Sequence, residues 1–470
     1  MDTLLDISPE FQQAFDLLEN EKTHLFVTGK AGAGKSTWLD YCRRKSAKNI
    51  VVLAPTGVAA LNVHGQTVHR FFGFPVNISV EKIVSKDFVP RAKRIYKKLE
   101  TLIIDEVSML RADILDCIDA FLKLYGPKEE VPFGGVQMVF VGDLYQLPPV
   151  LSRQEEPFFR QKYNTPYFFS ADVFRAISLK VVELNKIYRQ KDECFIGLLN
   201  RIRSNTVTGE DIKLLNSRVV EADATDDKDT FRISLTTVNQ LADDINRKRM
   251  EALDGQLYSS QAVVDGTFGA DYYPTAETLE FKLGAQIMFL NNDAKNRWVN
   301  GSIGHIENIC LRDGELRYLR VRLHEEQKLV DVFPYTWEIY KYTLQDKELV
   351  AEVAGSFTQF PFRPAWAVTI HKSQGKTFRQ VDIDIGNGTF ATGQLYVALS
   401  RCSSFEGLRL MKPLSLRHVQ TDVRVSAFMR DYGSKQNWSM KEKSDFLNQA
   451  AQVGKSILHI GKLTAVCRGE

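Results

Sequence analysis

The chain has 470 residues, 61 of them Lys or Arg and 58 Asp or Glu, for a formal charge of +3, and 44% are hydrophobic. This is ordinary globular composition; it excludes wholesale disorder, collagen-like sequence and a uniformly basic coat for a polyanion, but not a local basic groove. The length suits about three domains. The cysteines Cys42, Cys117, Cys194, Cys310, Cys402 and Cys467 are too scattered for a disulfide framework and include no Cys-x-x-Cys pair, which fits a reducing compartment. The N-terminus, MDTLLDISPEF, lacks a basic segment followed by an apolar one, and no uninterrupted apolar window of about 18 residues occurs. The expectation is an intracellular protein, cytoplasmic or nucleoid-associated if bacterial, with no membrane partner.

From Leu25 to Val150 short apolar runs end in Gly, Pro or Asp and alternate with stretches of helical spacing. The runs LFVTG, IVVLAPTG, TLIIDE and MVFVGD read as buried parallel strands of an α/β sheet. Ligands of such sheets sit outside the carboxyl ends of the strands, where Gly29, Thr56, Asp105 and Asp143 fall. A second α/β pattern begins near Val181, with ISLTTVN as a strand and a helix from Gln240 to Leu253. It resumes at FRPAWAVTIHKSQG and continues through VDIDIG and the helical QLYVALSRC. Between Gly255 and Phe360 the texture is all-β, and RDGELRYLRVRL pairs an Asp313-Gly314 turn with alternating Leu319, Val321, Leu323 and Arg320, Arg322. This segment reads as a small barrel inserted into the second α/β domain. The run Glu221 to Asp229 reads as an exposed loop, and Arg91 to Lys98 as the solvated face of a helix. The tail after about Arg430 is polar and helical and carries no assigned chemistry.

GKAGAGKS, from Gly29 to Ser36, fits G-x-x-x-x-G-K-[ST] after a strand and before a helix-forming stretch. Gly29, Ala31, Gly32, Ala33 and Gly34 are small enough for backbone N–H groups to turn inward around phosphate oxygens, and the following helix start, Lys35 to Thr37, adds positive charge. Lys35 reaches the β- and γ-phosphates of a nucleotide, and Ser36 supplies a hydroxyl to Mg²⁺. VGKS at Val453 to Ser456 and QGKT at Gln374 to Thr377 are decoys, with Gln449 and Ile370 where the first glycine belongs. Asp105 and Glu106 at the end of a buried strand need a compensating cation; Mg²⁺ serves Asp105, leaving Glu106 to deprotonate the attacking water. Gln146, in a proline-stiffened loop after Asp143, suits a sensor of the γ-phosphate.

The ordered series GKAGAGKS, APTGVAAL, LIIDEVSML, VGDLYQLPPV, IYRQ, TIHKSQGKT and YVALSRC resembles superfamily-one helicases. More narrowly it is similar to the petite integration frequency (PIF-type) 5′-to-3′ DNA helicases, relatives of the RecD-like enzymes, from about Ile7 to Cys402. The resemblance implies an α/β protein of two RecA-like P-loop NTPase domains with ATP in the cleft between them. It implies a first domain over 1–72 and 92–183 with a wedge insertion at 73–91. The second spans 184–254 and 361–430, carries an SH3-like β-barrel insertion at 255–360, and is followed by a tail at 431–470. It gives Lys35, Ser36 and Asp105 to phosphate and Mg²⁺, Glu106 to water activation, Gln146 to coupling, and Arg189 and Arg401 to arginine fingers. Gly375 of the TIHKSQG motif joins the nucleotide side. Gln12 in SPEFQQAF, with Gln13 as the alternative, reads the adenine edge, Phe11 standing where some relatives carry the glutamine.

For the strand, the resemblance implies a channel lined by Pro55, Thr56, Gly57, His64, Thr67 and His69 in the first domain. The second supplies Thr237 and Asn239, with His371, Lys372 and Ser373. Arg70, Phe71 and Phe72 follow the first set, the phenylalanines reading as base-stacking faces or as core. The expected activity is ATP-driven 5′-to-3′ translocation by a monomer on single-stranded DNA and opening of tailed duplex. Forks, DNA–RNA hybrids and G-quadruplexes, in repair, recombination, replication or telomere maintenance, stay open as substrates and settings. An RNA-directed helicase and a P-loop remodeller without strand separation remain alternatives.

Overall fold

The computed structural model describes residues 7–434 apart from 76, 91–92, 153, 191, 221–231, 314, 325–326, 346–347, 387 and 390. The polar run Glu221 to Asp229, Cys467, the VGKS decoy and residues 435–470 of the tail lie outside the described residues, as do Arg91 and Gly314. The chain divides into two units, residues 1–186, 341–352 and 421–470 in unit 1 and residues 187–340 and 353–420 in unit 2.

Unit 1 is built on six strands, β1 (His24–Gly29), β2 (Ile50–Ala54), β3 (Gln66–Thr67), β4 (Thr101–Ile104), β5 (Gln137–Gly142) and β6 (Leu179–Leu184). They form one parallel sheet in the order β3-β2-β4-β5-β1-β6. Alternate residues enter two cores, one on each face. Phe26, Leu53, Ile104 and Phe140 pack on one side, and Val27, Val52, Ile103 and Val141 on the other. Burial on both faces explains why these strands read as continuous apolar runs rather than alternating ones. Helices α1 (Pro9–Asn20) and α2 (Lys35–Lys45) flank the sheet; α3 (Gly57–Asn62) and α4 (Val68–Phe72) follow β2 and β3; α5 (Val80–Val84) falls in the expected wedge segment. The sequence pattern placed the start of the second α/β region near Val181, but Leu179–Leu184 pairs with β1 and completes the first sheet. Its apolar pattern does not encode which strand it will join.

Phe71 and Phe72 are both core. Phe72 is 0% exposed and stacks on Phe74 and Tyr96, while the Tyr96 hydroxyl donates to Phe71 O at 2.9 Å. They are not faces for bases.

Beyond the first sheet the described strands form a four-stranded parallel sheet and sheets of two, three and five strands. Strands β7 (Ile233–Thr236), β18 (Ala367–Thr369), β19 (Val381–Asp384) and β20 (Leu408–Leu410) make the parallel sheet in the order β18-β7-β19-β20. Helix α6 (Asn239–Glu251) packs on β18 and β7, and α7 (Gln394–Leu399) follows β19 in the chain. Between β7 and β18 the chain is all-β, as its texture implied: β8 (Tyr258–Gln261), β9 (Val263–Gly266), β10 (Thr278–Phe281), β11 (Gln286–Phe289), β12 (Ile303–Arg312), β13 (Glu315–Leu323), β14 (Leu329–Val332), β15 (Tyr335–Gln345), β16 (Glu348–Gln359) and β17 (Phe362–Pro364). Five of these form an antiparallel sheet, β14-β13-β12-β11-β17. Its hairpin pairs Arg312 with Glu315 around Asp313, whose φ is +54°, as a tight Asp-Gly turn demands. Phe281, Ile287, Phe289, Val321 and Phe362 form the core of this region.

Under the parallel sheet, Asp382 binds two arginines: it accepts from Arg232 and, at 2.8 Å through both oxygens, from Arg409. The pairings tie β19 to the start of β7 and to β20. Among the described residues the cysteines are free thiols, and no helix is long and apolar enough to cross a membrane.

Candidate nucleotide and strand sites

In unit 1 the phosphate loop joins β1 to α2. Gly32 and Gly34 take φ values of +80° and +82°, the left-handed region that costs an L side chain about 1–2 kcal/mol. Gly29 has another constraint, since a Cβ there would fall 2.8 Å from Leu184 O of β6. Ala31 and Ala33 are buried, while Ser36 and Thr37 are exposed in the first turn of α2. Lys35 Nζ donates to Gly29 O at 2.6 Å and Lys30 O at 3.1 Å, so the ammonium curls over the loop that carries it.

Asp105 and Glu106 end β4. Asp105 is 8% exposed; burial, and then the neighbouring Glu106, push its carboxyl above the usual range, with Lys35 opposing. A carboxylate in that position gains from a divalent cation. The donor set fits Mg²⁺, which accepts two protein oxygens, here the Ser36 hydroxyl and Asp105, and completes its shell with phosphate and water. Among the described residues no group of three or more His, Cys, Asp or Glu could hold a metal. Glu106 stands at φ +48°, ψ +43°, a strained left-handed conformation for a glutamate.

Gln146 follows β5 and is 6% exposed. Its backbone N–H donates to Asp143 O at 3.0 Å, and the Asp143 carboxylate accepts from Tyr145 N. A Cβ at Gly142 would meet Val107 N at 3.0 Å, so the turns after β4 and β5 touch. Lys35, Asp105, Glu106 and Gln146 thus share the carboxyl rim of one sheet, with β5 between β4 and β1 in its order. Gln12 lies on α1 and donates to Asp16 at 2.8 Å; Gln13 is exposed.

Pro55, Thr56 and Gly57 leave β2 beside Thr67 of β3, because Ala54 pairs with Thr67. Thr56 and Thr67 cap α3 and α4, accepting from Ala59 N and Arg70 N at 3.3 Å. A threonine hydroxyl that accepts one bond keeps a proton to donate. His64 is exposed at φ +45°. Burial and then Arg111 lower the pKa of His69, which favours the neutral ring.

In unit 2, Thr237 and exposed Asn239 follow β7. His371 and Lys372 are exposed in the turn after β18, whereas Ser373 is 0% exposed and its hydroxyl donates to Ile370 O at 2.7 Å. Ser373 therefore braces the turn. Gly375 has φ +76° with open space where a Cβ would stand. Arg189 donates to Ser400 O and Gly375 O at 3.4 Å. Arg401 is only 1% exposed; its guanidinium donates to the carbonyls of Val397, Ser373 and Lys376 and to the Ser400 hydroxyl.

The model of the PIF1-like helicase family matches residues 7–211. An ATP-dependent DNA helicase Pif1 of Bdellovibrio bacteriovorus is 31% identical over 91% of this chain and 92% of its own. The chain belongs to the PIF1-like helicase family. Among solved structures, Bacteroides sp. Pif1 in complex with ADP-AlF4 is 38% identical with a TM-score of 0.84, covering 91% of this chain and 97% of that one. A Pif1 helicase from Bacteroides in complex with ADP-AlF3 and single-stranded DNA is 37% identical with a TM-score of 0.64, covering 91% of this chain and 98% of that one. The likeness extends the RecA-like description to this chain.

For this PIF1-like chain, sequence reading missed the backbone strain at Glu106 and the interior position of Arg401. A motif names a residue type and cannot report the φ of its backbone or the carbonyls that a buried guanidinium will find.

Proposed function

We propose that the chain is an ATP-dependent DNA helicase that moves 5′-to-3′ along single-stranded DNA as a single chain and opens duplex ahead of it. The observation that carries the reading is the set Lys35, Asp105, Glu106 and Gln146 on one sheet rim behind a glycine-shaped phosphate loop. Lys35 exchanges its bonds to Gly29 O and Lys30 O for phosphate oxygens. Glu106 takes the proton of the attacking water, Gln146 orients that water, and Arg189 stabilises charge spreading over the γ-phosphoryl oxygens, joined by Arg401 only where it exchanges its bonds to Val397, Ser373 and Lys376 carbonyls for phosphate oxygens. When bound to Ser36 and Asp105, Mg²⁺ neutralises phosphate charge. Gln12 reads the base, and the residue before Lys376, Gly375, serves the nucleotide side.

Pro55, Thr56, Gly57, His64, Thr67 and His69 hold the strand on unit 1, and Thr237, Asn239, His371, Lys372 and the turn braced by Ser373 hold it on unit 2. Segments 73–91 and 255–360 act as wedge and barrel on the duplex side. If nucleotide state alternates the grip of each unit, every hydrolysis advances the chain. The deciding measurement uses matched partial duplexes with a 5′ or a 3′ tail, of DNA or of RNA, with ATP. Opening of the 5′-tailed DNA alone is expected. Opening of only the 3′-tailed duplex would refute the polarity, and ATPase indifferent to any oligonucleotide would refute strand translocation.

A further inference from the structure

Unit 2 gathers three cations, buried Lys376, half-buried Arg363 and exposed Lys372, about a single turn. Lys376 ends the turn that begins at His371, with its N–H donating to Ser373 O at 3.1 Å, and it is 8% exposed. Its stem lies against Gly301, where a Cβ would come 3.2 Å from Lys376 Cβ. Gly301 N–H donates to Phe289 O of β11 at 2.9 Å, and Met288, the preceding residue, pairs with Arg363 of β17. The backbones that carry Lys376 and Arg363 therefore both lie beside the same end of β11. Arg363 acts on Lys376 and Lys372, and Lys372 on His371; the one carboxylate that acts on Arg363 and Lys372 is Asp243 of α6. Among the described residues no hydrogen bond or ion pair engages the Lys376 ammonium, the Arg363 guanidinium or the Lys372 ammonium. Burial pushes Lys376 down to about 8, with Arg363 adding to the effect, and lowers Arg363 and Lys372 as well.

A buried cation without a partner costs stability, and neighbouring cations raise that cost. An oxyanion would offset both. We infer that Arg363 and Lys376, with Lys372, form a subsite on unit 2 for a phosphodiester group of the single strand. The inference rests on the strand-binding reading of His371 and Lys372. Cations drawn from two elements, β17 and the turn, with no glycine loop or helix start among them, suit a backbone running past rather than a terminal phosphate cradled at one point.

The test is binding of a fluorescent oligothymidylate across a salt series by the full chain, its Lys376→Gln and Arg363→Gln variants, and Lys376→Arg. Each lost phosphate contact should lower the slope of log affinity against log salt by about 0.7, with binding of an ATP analogue in the absence of DNA unchanged. Lys376→Arg should restore the slope. Affinity of the unaltered chain should also fall as pH rises through about 8, because a neutral Lys376 must take up a proton to hold the strand. That fall should vanish in Lys376→Arg, whose charge persists while Arg363, Lys372, His371 and Asp243 are the same. The pH arm needs no glutamine variant to fold. Unaltered slopes together with a pH response that Lys376→Arg does not remove would overturn the subsite. A drop in nucleotide affinity with an unaltered slope would assign the oxyanion to ATP and overturn it too. If the unaltered chain binds no strand, the strand-binding reading itself fails; if it binds and only the variants are silent, this subsite alone fails.

Discussion

The phosphate loop of unit 1 and the His371–Lys376 turn of unit 2 are both short, glycine-bearing connections that carry a lysine, and they are held in opposite ways. In the loop, Lys35 itself bonds the carbonyls of Gly29 and Lys30. In the turn, the carbonyls of Ser373 and Lys376 are taken by Arg401, two residues past the end of α7, and among the described residues no hydrogen bond or ion pair engages the Lys376 ammonium. The first device is self-contained and can be written as one motif. The second depends on a guanidinium delivered by the fold, so the same local letters carry less information about it.

The largest effect is expected on the loop side. Glu106→Gln should lower DNA-stimulated ATP turnover by about 10²–10⁴ while nucleotide affinity, measured by titration of a fluorescent analogue, is retained. Turnover close to that of the unaltered chain would remove Glu106 as the base. Arg401→Ala tests the other half of the comparison: with buried carbonyl oxygens left unpaired, thermal or urea unfolding should report a loss of roughly 2–3 kcal/mol. No loss would mean that the turn stands without its arginine. Gly34→Ala should cost about 1–2 kcal/mol, because φ +82° suits no side chain, and should weaken nucleotide binding in the same titration. Smallest is Thr67→Ala, which removes the cap of α4 and should cost about 1 kcal/mol; strand affinity falling by more than that stability change would locate a contact at the hydroxyl.

Legibility follows the same division. The apolar runs at Leu25, Ile50, Leu102 and Met138 announced β1, β2, β4 and β5, because a strand buried on both faces needs no partner to be recognised. The apolar pattern alone starts the second half near Val181, inside β6, since adjacency to β1 is a property of topology, whereas the family resemblance keeps residues up to 183 in the first domain. The all-β texture of 255–360 and the Asp313 turn were visible in alternation; that residues 341–352 of the β15–β16 hairpin group with unit 1, where Tyr342 meets Phe71 at 5.8 Å, was not. At the site, Lys35, Asp105, Glu106 and Gln146 were legible because each follows a strand end. Arg363 was not, because only the pairing of β17 with β11 brings it to Lys376.

The left-handed backbone at Glu106 also bears on how this protein would respond to engineering. A glycine or asparagine would settle there at lower energy, so a library screened only for heat resistance is expected to enrich replacements at this position, and, with Glu106 proposed as the base, such winners would still bind ATP but turn it over about 10²–10⁴ more slowly. On the proposed role of Glu106, robustness and turnover are opposed at a single residue, and selection for one would diminish the other.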